Sequence, residues 1–404
     1  VSACRCAAVF LRNIRTNQHQ KEKNVTFTQH QQEDLLKRGF SRRHFGKLAS
    51  FIAAGSTLPF YNEAAMAQLS QVRGAPADAV MINANENPLG PCAEAAEAMR
   101  SIIAKGGRYN YGETDDFKST LAEQEGLKAN YVAAFSGSSA PLHQSVLAFT
   151  SPTKPYIMAD PGYEAGSSAA KVVGAPVIKV PLTKDHKHDV KAMAAASPNA
   201  GLFYLCNPNN PTGTLTPKED IAWLVKNKPA GCILMIDEAY THISGAPFST
   251  DFVAKDEDVI VLRTFSKIYG MAGLRAGAAM AKPDLLAKIG MWSAGAMPIT
   301  GMIGANTSLK VKNLVPERRK IIGDVRNDVF AFMDKNNFKY VPSVSNKFMA
   351  DTGRPANDVI MALRMEKVYI GRSWPVWPNH VRVSIGTQDE MNKFKAAYLK
   401  VMKA

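Results

Sequence analysis

From about residue 80 onward the chain alternates short apolar runs with stretches of helical spacing. Apolar runs at 133–135, 156–159, 201–206, 232–236, 259–262 and 278–281 are each bounded by Gly, Pro, Asn, Asp or Ser, which predicts buried strands, and 177–180 reads as a further strand. Between them, 91–104, 115–126, 143–149, 165–173, 217–226 and 283–289 read as helices. Strands and helices in alternation predict an α/β protein with a mainly parallel sheet covered by helices on both faces. Further on come a long amphipathic helix at 318–336, strands near 338–341, 347–350 and 381–385, and a helix at 356–364. This region reads as a second, smaller α/β domain. A short strand near Met81 runs into the polar turn Asn85-Glu86-Asn87-Pro88. Residues 1–40 are polar and without periodicity, and disorder is expected there.

Residues 41–47 read SRRHFGK, an apolar stretch covers 48–60, and Ala65-Met66-Ala67 follows. A charged segment, a short apolar segment and an A-x-A site are the parts of a secretory signal. The paired Arg42-Arg43 resembles a twin-arginine export signal. The expected location is therefore periplasmic or secreted, with cytoplasmic as the alternative. The apolar stretch is short for a membrane span, and none is expected in a mature chain starting at Gln68. The net charge is +14, and residues 1–67 supply six of it, from 10 Lys+Arg against 4 Asp+Glu. No basic run is interleaved with aromatics and no finger spacing occurs, so the charge points to anionic small molecules and not to nucleic acid. The cysteines, Cys4, Cys6, Cys92, Cys206 and Cys232, are scattered without metal-ligand spacing, and no metal site is expected.

The candidate chemistry lies where the predicted strands end. The stretch 262–277, LRTFSKIYGMAGLRAG, carries Lys267 after Thr264 and Ser266, with Arg275 beyond two glycines. A lysine at a strand's C-terminal end reaches the crevice where ligands bind in open α/β sheets. Once desolvated it can become a nucleophilic amine. Two hydroxyls and an arginine fork suit a phosphate beside it. Together they suit an aldehyde cofactor with a phosphate, pyridoxal 5'-phosphate, although the stretch alone also fits an ordinary surface loop. The strand at 232–236 ends in Asp237, whose carboxylate needs a cation or hydrogen bonds if buried. A protonated pyridine nitrogen would serve, and so would a neighbouring arginine. The turn 207–213, NPNNPTG, holds Asn210 on backbone stiffened by two prolines. Gly137-Ser138-Ser139 opens a helix whose N–H groups could hold a phosphate.

Taken together, the motifs ANENPLGP (84–91), CNPNNPTG (206–213), IDEAY (236–240), RTFSK (263–267), GLRAG (273–277) and VRVSIGT (381–387) resemble the class I/II aminotransferases, with the greatest similarity to histidinol-phosphate aminotransferases. The resemblance implies the fold type I architecture of pyridoxal phosphate transferases: a large domain at 106–300, a small domain at 301–404, a segment at 68–105 joining the small domain, and an extension at 1–67. It implies Lys267 as the Schiff-base lysine, with Asp237 on the pyridine nitrogen and Asn210 and Tyr240 on the ring hydroxyl. Tyr163 would stack on the ring. Ser138, Ser139, Thr264, Ser266 and Arg275 would hold the phosphate. Tyr109 would reach the phosphate of a neighbouring subunit, which implies a homodimer. Arg382, Asn85 and Asn346 would meet the substrate. The implied activity is ping-pong transfer of an amino group between an amino acid, or a histidinol-phosphate-like amine, and a 2-oxo acid. A lyase or decarboxylase on the same scaffold and a non-enzymatic cofactor sensor are the alternatives. Three departures stand out: Ala140 where an acidic residue is usual, Lys347 between Asn346 and Phe348, and Trp374 and Trp377, which suit either the core or a side-chain pocket.

Overall fold

A computed structural model describes residues 28–45, 72, 74–293 and 296–403. The chain forms two compact units, Val1–Ala54 and Gly55–Ala404. In the first, Gln29–Lys37 is an α-helix, so the expectation of disorder over 1–40 fails there. A capping box accounts for it. Thr28 Oγ1 accepts from the Gln31 N–H at 3.3 Å, and Gln31 Oε1 accepts from the Thr28 N–H at 2.8 Å. The apolar stretch at 48–60 and the sequence at 65–67 lie outside the described residues.

Among the described residues, the second unit contains twelve strands: β1 (Val80–Ile82), β2 (Val132–Phe135), β3 (Tyr156–Asp160), β4 (Val177–Pro181), β5 (Leu202–Cys206), β6 (Ile233–Asp237), β7 (Val259–Thr264), β8 (Gly277–Met280), β9 (Tyr340–Val341), β10 (Lys347–Asp351), β11 (Val368–Ile370) and β12 (His380–Ser384). Seven of them form one sheet in the order β2-β8-β7-β6-β5-β3-β4. Neighbours are parallel except at β8, which is antiparallel to both β7 and β2. Every residue of β5, β6 and β7 is buried, as expected of central parallel strands covered on both faces. β4, at the edge, exposes Lys179, a charge that discourages further pairing.

β12, β10 and β9 form an antiparallel sheet, and β1 pairs in parallel with β11. The long helix begins at Leu314, ahead of the sequence expectation, because Pro316 falls in its first turn, where a missing N–H costs nothing. Helices at Ile299–Lys310 and Gln388–Lys403 were not evident in the sequence pattern. Among the described residues, no helix is long and apolar enough to cross a membrane.

Candidate active site

β2, β3, β5, β6 and β7 all run in one direction, so their C-terminal ends share one edge of the sheet. Those ends deliver Gly137 and Ser138, Tyr163, Asn210, Asp237 and Tyr240, and Lys267 respectively. Every one of these non-glycine side chains is buried.

Three strand ends build an anion cradle. Ser138 does not cap the helix Ser139–Phe149 with its side chain; Pro141 carries no N–H and the Leu142 N–H donates to the Ser138 carbonyl at 3.1 Å, so the Ser139 and Ala140 N–H groups are those that could meet a ligand. Thr264 Oγ1 donates to Ser266 Oγ at 2.9 Å, and Arg275 Nη1 donates to the same oxygen at 3.4 Å and to the Ala272 carbonyl at 2.7 Å. Arg275 Nη2 donates to the Ser136 carbonyl at 3.3 Å. Arg275 holds the left-handed conformation at φ 53, a strain of the kind kept at ligand sites. Gly137 lies directly beneath: a Cβ there would stand 2.3 Å from Arg275 Nη2. The cradle is thus shaped by a residue without a side chain.

Asp237 ends β6, 4% exposed. Its Oδ2 accepts from the Tyr204 hydroxyl at 2.8 Å and its Oδ1 from the Ala239 N–H at 3.1 Å. Burial, and after it the charge of Asp237, pushes the Tyr204 hydroxyl well up, so that it stays a donor. Two hydrogen-bond donors fix the orientation of this buried carboxylate at the strand end, where a cationic ring nitrogen would find it. Tyr240 follows, and its hydroxyl accepts from Asn85 Nδ2 at 3.1 Å. Lys267 Nζ lies 5.9 Å from the centroid of the Tyr240 ring.

Arg382 closes the site from β12. Its Nη1 donates to Asn210 Oδ1 at 3.1 Å and its Nη2 to the Asn83 carbonyl at 2.7 Å. Asn85, also in the left-handed region, is bound through Ser384: its N–H donates to Ser384 Oγ at 2.8 Å, and that hydroxyl donates to Asn85 Oδ1 at 3.1 Å. Asn346 Nδ2 donates to the Asn85 carbonyl at 3.1 Å, so Asn346 secures the Asn85 turn by its backbone.

The structure therefore gathers Ser138, Ser139, Tyr163, Asn210, Asp237, Tyr240, Thr264, Ser266, Lys267, Arg275, Arg382, Asn85 and Asn346 around one sheet edge. It does not bring Tyr109 there within this chain. Tyr109 is 72% exposed and stacks on Tyr111 with ring centroids 5.6 Å apart. Trp374 belongs to the core beside Val341 and Met349, its Nε1 donating to the Gly162 carbonyl at 3.0 Å. Arg372 lies over the Trp374 ring and pairs with Glu164. Tyr204, Asn83, Ser384 and Lys347 were not singled out for the site by sequence. Tyr204 sits within an all-apolar run, and the others depend on pairing between distant strands.

A lysine, a buried carboxylate and a phosphate cradle along the carboxyl edge of a mainly parallel sheet define a pyridoxal phosphate enzyme of fold type I. The profile of the family "Aminotransferase class I and II" matches residues 77–397. A histidinol-phosphate aminotransferase of Symbiobacterium thermophilum is 31% identical over 327 residues, which is 79% of this chain and 90% of that protein. An aromatic amino acid aminotransferase of Cutibacterium acnes is 32% identical, over 78% of this chain and 90% of its own length. The crystal structure of histidinol-phosphate aminotransferase from Sinorhizobium meliloti in complex with pyridoxal 5'-phosphate superposes with a TM-score of 0.75 at 26% identity, covering 86% of this chain and 96% of that one. The chain belongs to the class I and II aminotransferases and is a pyridoxal phosphate-dependent transaminase.

Proposed function

We propose that this transaminase moves an amino group from an amino acid, or a histidinol-phosphate-like amine, to a 2-oxo acid in two alternating half-reactions, the first product leaving before the second substrate binds. The observation that carries this reading is the pairing of Arg382 with Asn210 on the same edge as Lys267. Arg382 offers a planar fork to a substrate carboxylate, and such a fork fixes orientation as well as position. Lys267 Nζ is the amine that carries the cofactor and then takes and returns the proton at the substrate's Cα. Asp237 would hold a proton on the ring nitrogen. Asn210 and Tyr240 would hydrogen-bond the ring hydroxyl, and the cradle of Ser138, Ser139, Thr264, Ser266 and Arg275 would hold the phosphate. When bound, the cofactor supplies an electron sink conjugated to Cα. The names of the two curated relatives support an amine donor with a cyclic side chain. The test is to follow the cofactor's absorption while glutamate, histidinol phosphate and aromatic amino acids are added singly. Loss of the long-wavelength band with release of an equal amount of the matching oxo product is expected for at least one donor. Release of carbon dioxide or ammonia with no oxo-acid acceptor would overturn the reading in favour of a lyase.

Two further parts of the reading concern the whole molecule. A homodimer is proposed, with Tyr109 serving the partner's cradle; its exposed ring, stacked on the likewise exposed Tyr111, supports this. Light scattering checks the dimer, and weakened cofactor binding in Tyr109→Ala checks the residue. Export is proposed from the sequence 41–67. Cell fractionation of the full chain beside an Arg42→Lys/Arg43→Lys variant tests it, with retention of the variant in the cytoplasm expected.

A further inference from the structure

Lys347 is a second buried lysine of the site. It opens β10, which pairs with β12 in the register Lys347↔Ser384 and Met349↔Arg382. Alternation along the strands puts Lys347 and Arg382 on one face of the small sheet. Lys347 is fully buried, its Nζ 3.0 Å from the centroid of the Tyr240 ring and donating to Ser345 Oγ at 3.0 Å. The two lysines thus share Tyr240, since Lys267 faces the same ring. The Lys347 backbone is held as closely: a Cβ on Gly213, in the Asn210 turn, would lie 2.8 Å from the Lys347 carbonyl oxygen.

We propose that Lys347 is a positioning residue acting through Tyr240 and Lys267: its buried amine seats the phenol ring and sets how much positive charge faces Lys267. The inference rests on the assignment of this site to pyridoxal phosphate. The charged and titratable groups facing the amine are Cys206 at the end of β5, Asp237 and Tyr240 at and beyond the end of β6, Lys267 beyond β7, and Arg382 on β12. Burial pushes the Lys347 amine well below the usual lysine range; Arg382 and Lys267 push the same way, against Cys206 and Asp237. Cys206 gives no counter-charge in neutral solution, because burial drives its own thiol far up and keeps it protonated. Asp237 is already bound by Tyr204 and Ala239. Burial and the two neighbouring cations thus favour the uncharged amine over the charged one. Its N–H groups meet the electron-rich face of Tyr240, and that contact fixes the ring. On acidification the amine takes a proton, and a further cation then faces Lys267.

The experiment is an absorbance titration of the pyridoxal phosphate band in the full chain, as wild type, Lys347→Met and Lys347→Arg. Methionine keeps the length without charge, and arginine keeps a permanent charge. The Lys347→Arg midpoint should lie about 1 pH unit or more below that of Lys347→Met, since a like charge favours loss of the neighbouring proton. The wild type should follow Lys347→Met on the alkaline side and depart toward Lys347→Arg on the acid side. Coincident midpoints in all three chains would overturn the proposal. If neither variant folds, Lys347→Gln takes the place of methionine, and the wild-type curve decides alone: a single transition overturns the proposal. Absence of the band from the wild type defeats the cofactor assignment itself, an outcome distinct from a band that forms and does not respond to Lys347.

Discussion

Replacing Arg263 with methionine should cost the protein about 3–5 kcal/mol of stability, and the loss should be larger at pH 8 than at pH 5. Arg263 lies on β7 just before Thr264, only 1% exposed. Its Nη1 meets Glu125 Oε1 at 2.6 Å, its Nη2 meets Glu238 Oε2 at 2.7 Å, and its guanidinium lies 4.2 Å from the centroid of the Phe248 ring. Methionine refills much of the space but strands two carboxylates. Glu125 keeps the Thr250 hydroxyl at 2.9 Å, and Glu238 keeps the Ser249 N–H at 2.6 Å. One neutral donor does not offset the desolvation of a carboxylate. In the wild type, burial alone pulls the Arg263 guanidinium down, and the two glutamates overcome it so that the net shift is upward. Burial pushes Glu238 up from its ordinary 4.5, with Arg263 opposing. Removing Arg263 removes the opposing charge and raises Glu238 further.

The sign then follows. Between 4.5 and the raised value the folded variant holds a proton that the unfolded chain has released. Its stability therefore falls as pH rises through that window, by up to about 1.4 kcal/mol per unit per group. Urea unfolding of the cofactor-free protein at pH 5 and pH 8, wild type beside variant, reads this without a contribution from bound ligand. Adding Glu238→Gln to Arg263→Met should return part of the loss at pH 8. A deficit below about 1 kcal/mol at both pH values, or an equal deficit at both, would refute the account of this triad.

Gly137→Ala forces a side chain into a position at φ +87 and 2.3 Å from Arg275 Nη2. Pyridoxal phosphate affinity should fall at least about tenfold, equivalent to about 1.4 kcal/mol, and an unchanged dissociation constant by spectroscopic titration would count against the cradle. Acid should destabilise the fold through His143 and His188, which burial lowers from 6.5 to about 4. The unfolded chain takes up protons below 6.5 that the folded one refuses until about 4, so stability is complete above the upper value and falls across that window, by about 3 kcal/mol for each histidine. A melting temperature at pH 5 equal to that at pH 7 would contradict it. Trp374→Ala should lower stability by about 3–5 kcal/mol, because a side chain only 1% exposed and bonded to the Gly162 carbonyl is lost from the core. Chemical denaturation measures this, and a loss within about 0.5 kcal/mol would place Trp374 with surface residues instead.

The central sheet was legible in the sequence because β5, β6 and β7 are built on the apolar runs 202–206, 233–236 and 259–262, each giving way to polar or turn residues. The same turns made Asn210, Asp237 and Lys267 visible, since each stands at or just beyond the point where an apolar run ends. Other parts were hidden for identifiable reasons. The helix Ile299–Lys310 carries Gly301 and Gly304, which weaken its helical signal, and it is favoured by close packing: Gly304 lies against Met99. The terminal helix buries Met391, Phe394, Tyr398 and Val401 at helical spacing, but the many intervening polar and charged residues dilute the apolar signal. Arg263, Glu125 and Glu238 lie 138 and 25 residues apart along the chain, and only the fold makes them one group. Lys347 was noticed as a departure from the motif, but its burial depends on the β10–β12 register, which no local pattern encodes.

The pairing of β1 with β11, and of the Asn83–Asn85 segment with β12, also imposes an order in time. Asn85 and its partner Ser384 are separated by 299 residues. At about 5–20 residues per second, synthesis would deliver the second about 15–60 s after the first. Through that interval the sheet strands β2 to β8 can assemble, since all of them precede residue 281. The turn at Asn85 has no Ser384 or Arg382 to hold it until the end of the chain is made. The part of the site built on Asn85 and Arg382 is thus the last to be completed, and a chain cut short before β12 would carry the anion cradle but no arginine fork.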